Sequence, residues 1–571
     1  MLRRPVPLLL SLLALAGCAA PGPLALRGTS APGEQAPFLA GYADVPFTPP
    51  KGYPLGGYGG GARREEFPLW LGIGWPGRLA LAAHLAWHEE GPEPADLLVG
   101  ATGAHDEVSA RAVVLRPEGQ APLAIVRLDA IGTTAELHDR VVAGVRDLGY
   151  APERVLLCAT HTHSGPGSFF RAPFACLVGT DVFRPEIEAR MAEAAIAAVR
   201  QAHERARPAT LSLARARDRG PDGRPLLAKN RRSGRFREEI SPDDVDDEVH
   251  LLLLREKEGG APLALLLNYA VHPTVLGTDN LGFSGDLGHG LEEGLAARLG
   301  APALFLNGAE GDVGPRSLSQ AGGLLRCREL GEAFAALVLP ALEGAPAQER
   351  IAIGAAWGEQ DMGDPWTCLA AGRARFLDGD QGLAAWLTAP LALPGNALLW
   401  LLGFTDLRLA LTWNLAAGVV LDLDGLLHRT TTRVAGVRLR AGEEDLALLT
   451  LPGEPTHDVG QALKAQATER GATRVLVLGL ALDHLGYLAS EQEYRRGGYE
   501  AWSTLFGPGA AARLLAAQAT ILDALGWAGP AAGVQRPGTR PPGAQCPGTG
   551  AGAGAGAAGG PETTVQRRSA E

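Results

Sequence analysis

Short apolar runs alternate with longer mixed segments along most of the 571 residues. The short runs are rich in Val, Ile and Leu: "APLAIVRLDA", "RVLLCAT", "HLLLLRE", "APLALLLNYAV", "ALFLNG", "DLALLTLPG" and "RVLVLGLA". Their length and composition predict strands buried on both faces. Between them stand segments rich in Ala, Leu, Glu and Arg: "TAELHDRVVAGVRDLG", "PEIEARMAEAAIAAVRQAHERA", "LGHGLEEGLAARLG", "CRELGEAFAALVLPALEG" and "VGQALKAQATERG". In the second of these, apolar residues recur at three and four, which predicts a helix with one buried stripe, and Pro185 suits its first turn. The alternation predicts an α/β fold, a mixed β-sheet flanked by helices. Ligand sites of such sheets lie beyond the carboxyl ends of the strands.

Several stretches break the rhythm. The opening "MLRRPVPLLLSLLALAGCAAPG" has Arg3 and Arg4, an apolar run of signal-peptide length, then Leu15, Ala16, Gly17 and Cys18. Residues 1–18 read as a bacterial lipoprotein signal with the lipid on Cys18, an ordinary secretory signal being the alternative. The run is too short for a spanning anchor. The expectation is an exported protein, lipid-anchored in the bacterial cell envelope. Residues 19–37, dominated by Pro, Gly, Ala and Ser, read as a flexible tether, and 529–571 as a disordered tail. Residues 38–528 are left as the folded unit, with apolar insertions at about 64–100 and 365–425. Their apolar hearts, 69–87 and 383–420, are either extra core or an apolar lid facing the membrane, which would help a lipid-like substrate leave the bilayer.

Charge narrows the partners. A net charge of −11 without any block of Lys and Arg argues against a nucleic-acid binder and leaves small molecules or lipids. The six cysteines contain no CxxC pair, so a zinc–thiolate site is not expected. Export permits disulfides; Cys158 with Cys176 and Cys327 with Cys368 stay open, since spacing does not choose.

The candidate chemistry sits where strands end. His161 and His163 follow "RVLLCAT", and an extended backbone turns both to one face. His272 in "VHPT" follows "LLLNYA"; Glu454 in "LPGEP" follows another strand; Asp483, His484 and Tyr487 follow "RVLVLGLA". Imidazoles and carboxylates reaching one edge from separate strands suit a catalytic zinc, which takes three or four protein ligands and keeps a position open. Asp286 and Asp312 precede helices or turns and read as caps for free N–H groups. His289 reads as a surface histidine and Tyr494 as core, while His84, His88 and His105 carry no assigned role.

The runs "ATHTHSGPGS", "NYAVHPT", "NGAEGDVGP", "LPGEP" and "YLASEQEYRRGGYEAWSTLFGP", in this order, resemble the catalytic domain of the neutral ceramidases. "FTPPKGYPLGGYGGG" resembles that family's opening segment, and the likeness spans roughly residues 40–527. It implies that family's fold and a zinc amidohydrolase of the EC 3.5.1 type acting on N-acylsphingosine. Zinc ligands then fall on His161, His272, Glu454 and Tyr487, with His457 and His484 as spares for Tyr487. His163 is implied to contact the substrate beside the metal, Tyr499 to contact the amide region, and Arg231 to bind substrate, or Arg232 if the alignment slips by one. One position departs from the family. The proposed nucleophilic serine is replaced by Gly314, and neither Ser284 nor Ser317 occupies the matching position.

A zinc hydrolase does not need that serine, because the metal lowers the pKa of bound water from about 15.7 to about 7. The sequence therefore predicts hydrolysis of an amide, or a related acyl bond, in a lipid-like molecule by metal-activated water. His163 is then a proton shuttle or oxyanion partner. The alternative is a non-catalytic lipid-binding or envelope scaffold lipoprotein that keeps the fold. Other C–N or C–O substrates also stay open, since pocket walls decide them. Oligomeric state and destination membrane leave no mark in the sequence.

Overall fold

The Val, Ile and Leu runs are strands whose backbone groups pair in one sheet. The structure, a computed structural model, describes residues 22–59, 61–63, 95–172, 175–232, 240–316, 323–363 and 430–527. Its strands are β1 (Ala25–Ser30), β2 (Ala36–Pro46), β3 (Ser109–Pro117), β4 (Leu123–Leu128), β5 (Val155–Ala159), β6 (Arg207–Arg217), β7 (Glu248–Glu256), β8 (Pro262–Tyr269), β9 (Ala303–Asn307), β10 (Ala347–Gln348), β11 (Arg350–Asp361), β12 (Thr431–Ala441), β13 (Glu444–Thr450) and β14 (Arg474–Leu478). All fourteen belong to a single mixed sheet, ordered β9-β8-β7-β6-β2-β11-β12-β13-β14. From β2 a second arm runs through β3, β4 and β5, while β1 adds to β11 and β10 to β6.

Three neighbouring pairs are parallel: β4 with β5, β8 with β9, and β13 with β14. A parallel pair needs a crossover, and each of these has one helix in it. They are α1 (Ala135–Val145), α3 (Asp286–Leu299) and α5 (His457–Glu469). The remaining helices are α2 (Pro185–Glu204), α4 (Gly323–Val338), α6 (Glu491–Arg496), α7 (Tyr499–Trp502) and α8 (Ala510–Ala524). Thr134 starts α1 by accepting the Leu137 N–H at 3.1 Å, and Leu137, Val141, Val142 and Val145 form its buried face. Three βαβ units thus aim six strand exits at one region, which the sheet rule marks as the ligand edge.

The core is largely apolar, and a buried ionic cluster ties two of its elements together. All six residues of β4 are buried, Arg127 among them. Its Nη1 lies 2.6 Å from Asp129, and its Nε donates to Glu292 of α3 at 2.8 Å. Arg111 reaches the same Glu292 at 2.7 Å, and Asp129 also accepts the Ser109 N–H. These groups tie the exit of β4 to α3.

The predicted α/β fold with a mixed sheet and flanking helices is present. Its long antiparallel strands were not foreseen, because "RIAIGAAWGEQD" and "TTRVAGVRLRA" mix small residues and Arg into the apolar pattern. The stretch read as a tether, 19–37, contains β1, whose residues are exposed or half-buried and pair with β11 through the backbone. Such an edge strand carries no hydrophobic alternation to find. Cys158, Cys176 and Cys327 are free thiols, so Cys158 and Cys176 are not paired. The signal with Cys18, the apolar stretches 69–87 and 383–420, and the tail lie outside the described residues. Among the described residues no helix is long and apolar enough to cross a membrane.

Candidate metal centre

The first imidazole arrives by a sharp turn after β5. His161 takes φ of 68°, a left-handed conformation that costs a non-glycine residue about 1–3 kcal/mol. The turn is held from the neighbouring exit of β4: the His161 N–H donates to Ala130 O at 3.0 Å, and its Nδ1 to Ile131 O at 2.6 Å. His272 follows β8 and is fixed in the same manner. Its N–H donates to Val313 O at 3.0 Å and its Nδ1 to Glu310 O at 2.8 Å, both acceptors lying past β9. Asp286 clamps the loop after His272 by accepting the N–H groups of Val275 and Leu276 at 2.9 and 3.2 Å. It does not cap α3, where Gly285 holds the cap position, but as the first helical residue it accepts the adjacent Leu287 N–H, and Asp312 accepts the His457 N–H that begins α5.

Glu454 and Tyr487 come from the third unit as partners in a short parallel ribbon, Glu454–Pro455 beside Tyr487–Leu488. The Tyr487 hydroxyl hydrogen-bonds Glu454 and accepts Arg231 Nη2 at 3.2 Å. Burial pushes that hydroxyl well above its ordinary range.

Five side chains converge around one point. The Nε2 atoms of His161 and His272 are 3.2 Å apart, and each lies 3.2 and 3.3 Å respectively from Glu454 Oε2. His163 Nε2 stands 3.4 Å from His161 Nε2, and His484 Nε2 is 3.7 Å from Glu454 Oε1. Because His161 and His272 spend their Nδ1 protons on carbonyls, their neutral Nε2 atoms face each other as lone pairs. Glu454 Oε2 is buried with no hydrogen-bond partner among the described residues. Electron pairs gathered this closely repel unless a cation sits among them, so the donor set fits a divalent metal ion. Burial, with the Arg231 cation and His161, pushes His272 down to about 3 and keeps it neutral. Burial and the other two imidazoles hold His163 well below its ordinary value.

The other predicted residues frame this point. Tyr499 is 42% exposed and meets Tyr487 edge-on with ring centroids 5.2 Å apart, at the outer side of the cluster. Arg231 donates to Gly311 O and to Tyr487, whereas Arg232 is buried in an ion pair with Glu493 at 2.8 Å. Arg231 is therefore the arginine at the site. Gly314 sits on the short strand Val313–Pro315 beside Ala228–Asn230. A Cβ there would stand 2.8 Å from Arg231 Cδ, so the arginine stem fills the place of a side chain at 314. Ser284 is buried and donates to Asp106, and Ser317 lies outside the described residues. Of the spare histidines, His484 joins the cluster, while the His457 ring faces Asp244 at 3.8 Å. His289 pairs with Glu293 on α3 at 3.3 Å, His105 bonds Asn280, and Tyr494 is buried.

Three neighbours escaped the sequence reading. Tyr58 packs its ring 4.4 Å from that of His163, and Arg63 stacks over Tyr58 at 4.9 Å while donating to His163 O. Tyr58 lay within the opening motif "FTPPKGYPLGGYGGG" without a role, and Arg63 lay just beyond it. Glu310, whose carbonyl holds His272, has both carboxyl oxygens buried without a partner among the described residues. Burial and the nearby Glu454 raise it well above the usual range.

Residues 95–299 match the family model "Neutral/alkaline non-lysosomal ceramidase, N-terminal". Over this segment the chain is similar to the neutral ceramidases. A curated neutral ceramidase of Mycobacterium tuberculosis (strain ATCC 25618 / H37Rv) is 27% identical over 190 residues, 32% of this chain and 29% of that protein. The aligned part is thus under a third of that relative's length. The crystal structure of neutral ceramidase from Pseudomonas aeruginosa superposes with a TM-score of 0.60 at 20% identity, covering 86% of this chain and 75% of that one. A ceramidase complexed with C2 gives 0.59 at 20% identity with the same coverage. At these identities the two structures establish a shared ceramidase fold. The matched segment holds His161, His163, Arg231 and His272; Glu454, Tyr487, Tyr499 and Gly314 lie beyond it.

Proposed function

We propose that the protein is a zinc-dependent amidohydrolase that cleaves the acyl amide of a ceramide-like lipid with water as the attacking group. The observation that carries this reading is the meeting of two Nε2 lone pairs and an unpartnered Glu454 oxygen at the exits of three strands. His161, His272 and Glu454 would hold the ion, with Tyr487 as the fourth ligand, and nitrogen with oxygen donors suits zinc. A zinc ion bound there supplies a Lewis acid that polarises a carbonyl and lowers the pKa of water.

The chain's own groups do the rest. Glycine at 314 offers no side-chain nucleophile, so the bond to carbon forms from a water oxygen. The C–N bond then breaks, and the amine leaves with a proton. His163 Nε2, neutral and next to His161, takes that proton from the water and returns it to the nitrogen. Arg231, anchored on Gly311 O, steadies Tyr487, and Tyr499 stands where the polar end of an entering lipid would pass. The arginine side chain beside residue 314 also supports a second reading, a non-catalytic lipid-binding lipoprotein. Export and a lipid on Cys18 belong to either reading and rest on the sequence pattern.

The test is turnover of a fluorogenic N-acylsphingosine before chelation, after chelation and after adding zinc back. Fatty acid release that is lost and restored supports the hydrolase. Bound zinc with no turnover on amide or ester substrates supports the second reading.

A further inference from the structure

His484 differs from His161 and His272 in which nitrogen carries its proton. The Gly486 backbone N–H donates to His484 Nδ1 at 3.1 Å, so Nδ1 is the acceptor and the neutral ring carries its hydrogen on Nε2. That nitrogen is buried and has no hydrogen-bond partner among the described residues. It points toward Glu454 Oε1, 3.7 Å away, on the side where the ligand lone pairs converge.

The ring is packed against His161, Phe170 and Gly132. It lies parallel to His161 with centroids 6.5 Å apart and takes Phe170 edge-on at 5.6 Å. Gly132, after β4, allows the approach, since a Cβ there would fall 2.5 Å from His484 Cδ2. His484 follows Leu480 and Leu482, both left-handed at φ of 55° and 68°. Strain of this kind persists only where the surroundings over-determine a conformation. A ligand nitrogen must offer a lone pair, and this one offers an N–H. A buried N–H left without an acceptor costs about 1–3 kcal/mol, so its acceptor is expected to arrive with a ligand.

We propose that His484 is a catalytic residue whose Nε2–H donates a hydrogen bond to the acyl oxygen of the substrate as negative charge develops on it, and that it is not a metal ligand. The inference rests on the hydrolase reading of the site. As water adds to the carbonyl carbon, the π pair moves onto oxygen, and the preset donor meets it without reorganising. The proton stays on Nε2 throughout.

Wild type, His484→Ala and His484→Gln, each loaded with zinc, separate the alternatives. The readouts are zinc per chain, affinity for octylphosphonate as a tetrahedral oxyanion probe, and kcat with KM on the N-acyl substrate. For His484→Ala the expected result is full zinc content, octylphosphonate binding weakened at least tenfold, and kcat down about 100- to 1000-fold with little change in KM. His484→Gln, which restores an N–H near the same position, regains part of both. Loss of zinc in His484→Ala would make the residue a ligand, and unchanged phosphonate binding would make it a bystander; either overturns the proposal. If wild type binds zinc and octylphosphonate but turns nothing over, the hydrolase reading fails while the phosphonate comparison still decides His484. A wild type that binds neither overturns the donor role together with the site.

Discussion

Placing serine at position 314 tests whether the glycine is an absence or a fitted part. The Cβ of Gly314→Ser would lie 2.8 Å from Arg231 Cδ and 3.0 Å from Cγ, inside ordinary carbon contact. Arg231 must retreat by about half an ångström, and overpacking of this kind costs about 1–3 kcal/mol. Its Nη2 hydrogen bond to Tyr487 is already 3.2 Å long, so such a retreat takes it past useful range. A charge-assisted bond of this kind contributes about 1.5–3 kcal/mol. Tyr487 then loses the group that orients it against Glu454. Gly314→Ala imposes the same displacement without a hydroxyl. We therefore expect Gly314→Ser and Gly314→Ala to lower kcat/KM on the N-acyl substrate by similar factors, about tenfold or more, and to melt earlier than wild type. Steady-state kinetics on both variants, with calorimetry, decides it. A serine variant more active than wild type, beside an impaired alanine variant, would refute the reasoning, because the hydroxyl would then be usable where the arginine stem stands.

Two further predictions probe the scaffold. Arg127→Met leaves Asp129 and Glu292 buried without their main counter-charge, and should cost about 3–5 kcal/mol in denaturant unfolding; a loss under 1 kcal/mol would show that the cluster does not hold β4 to α3. Asp286→Ala frees the Val275 and Leu276 amides that follow His272, so we expect about 1–3 kcal/mol of destabilisation and zinc affinity at least tenfold weaker; unchanged affinity would mean that the loop holds itself.

The strands that carry the site were the legible ones. β4, β5, β8, β9, β13 and β14 are buried on both faces and so appear in sequence as continuous apolar runs, and the residues after them were the natural candidates. His161, His163, His272 and Glu454 could be read from that rule alone. The same rule placed Tyr487 and His484 at a strand exit, but resemblance was needed to give Tyr487 a ligand role and to single out Tyr499 and Arg231, since a lone tyrosine or an arginine pair has no local pattern that announces a role. Tyr58, Arg63 and Glu310 escaped because their relation to the cluster spans distant segments: Arg63 meets the carbonyl of a residue 100 positions away. The His484 tautomer was beyond the sequence for a related reason, depending on one amide two residues on, whose direction only the folded turn fixes.

The most direct test of the account is metal content with and without its donors. Zinc would be counted by elemental analysis on wild type, His272→Ala and Glu454→Ala after identical loading and dialysis, alongside calorimetric titration of zinc into the apoprotein. The account predicts about one ion per chain for wild type, binding at least tenfold weaker in each variant, and unfolding of wild type that shifts upward as zinc is added. Full zinc content in His272→Ala, together with retained turnover, would contradict it.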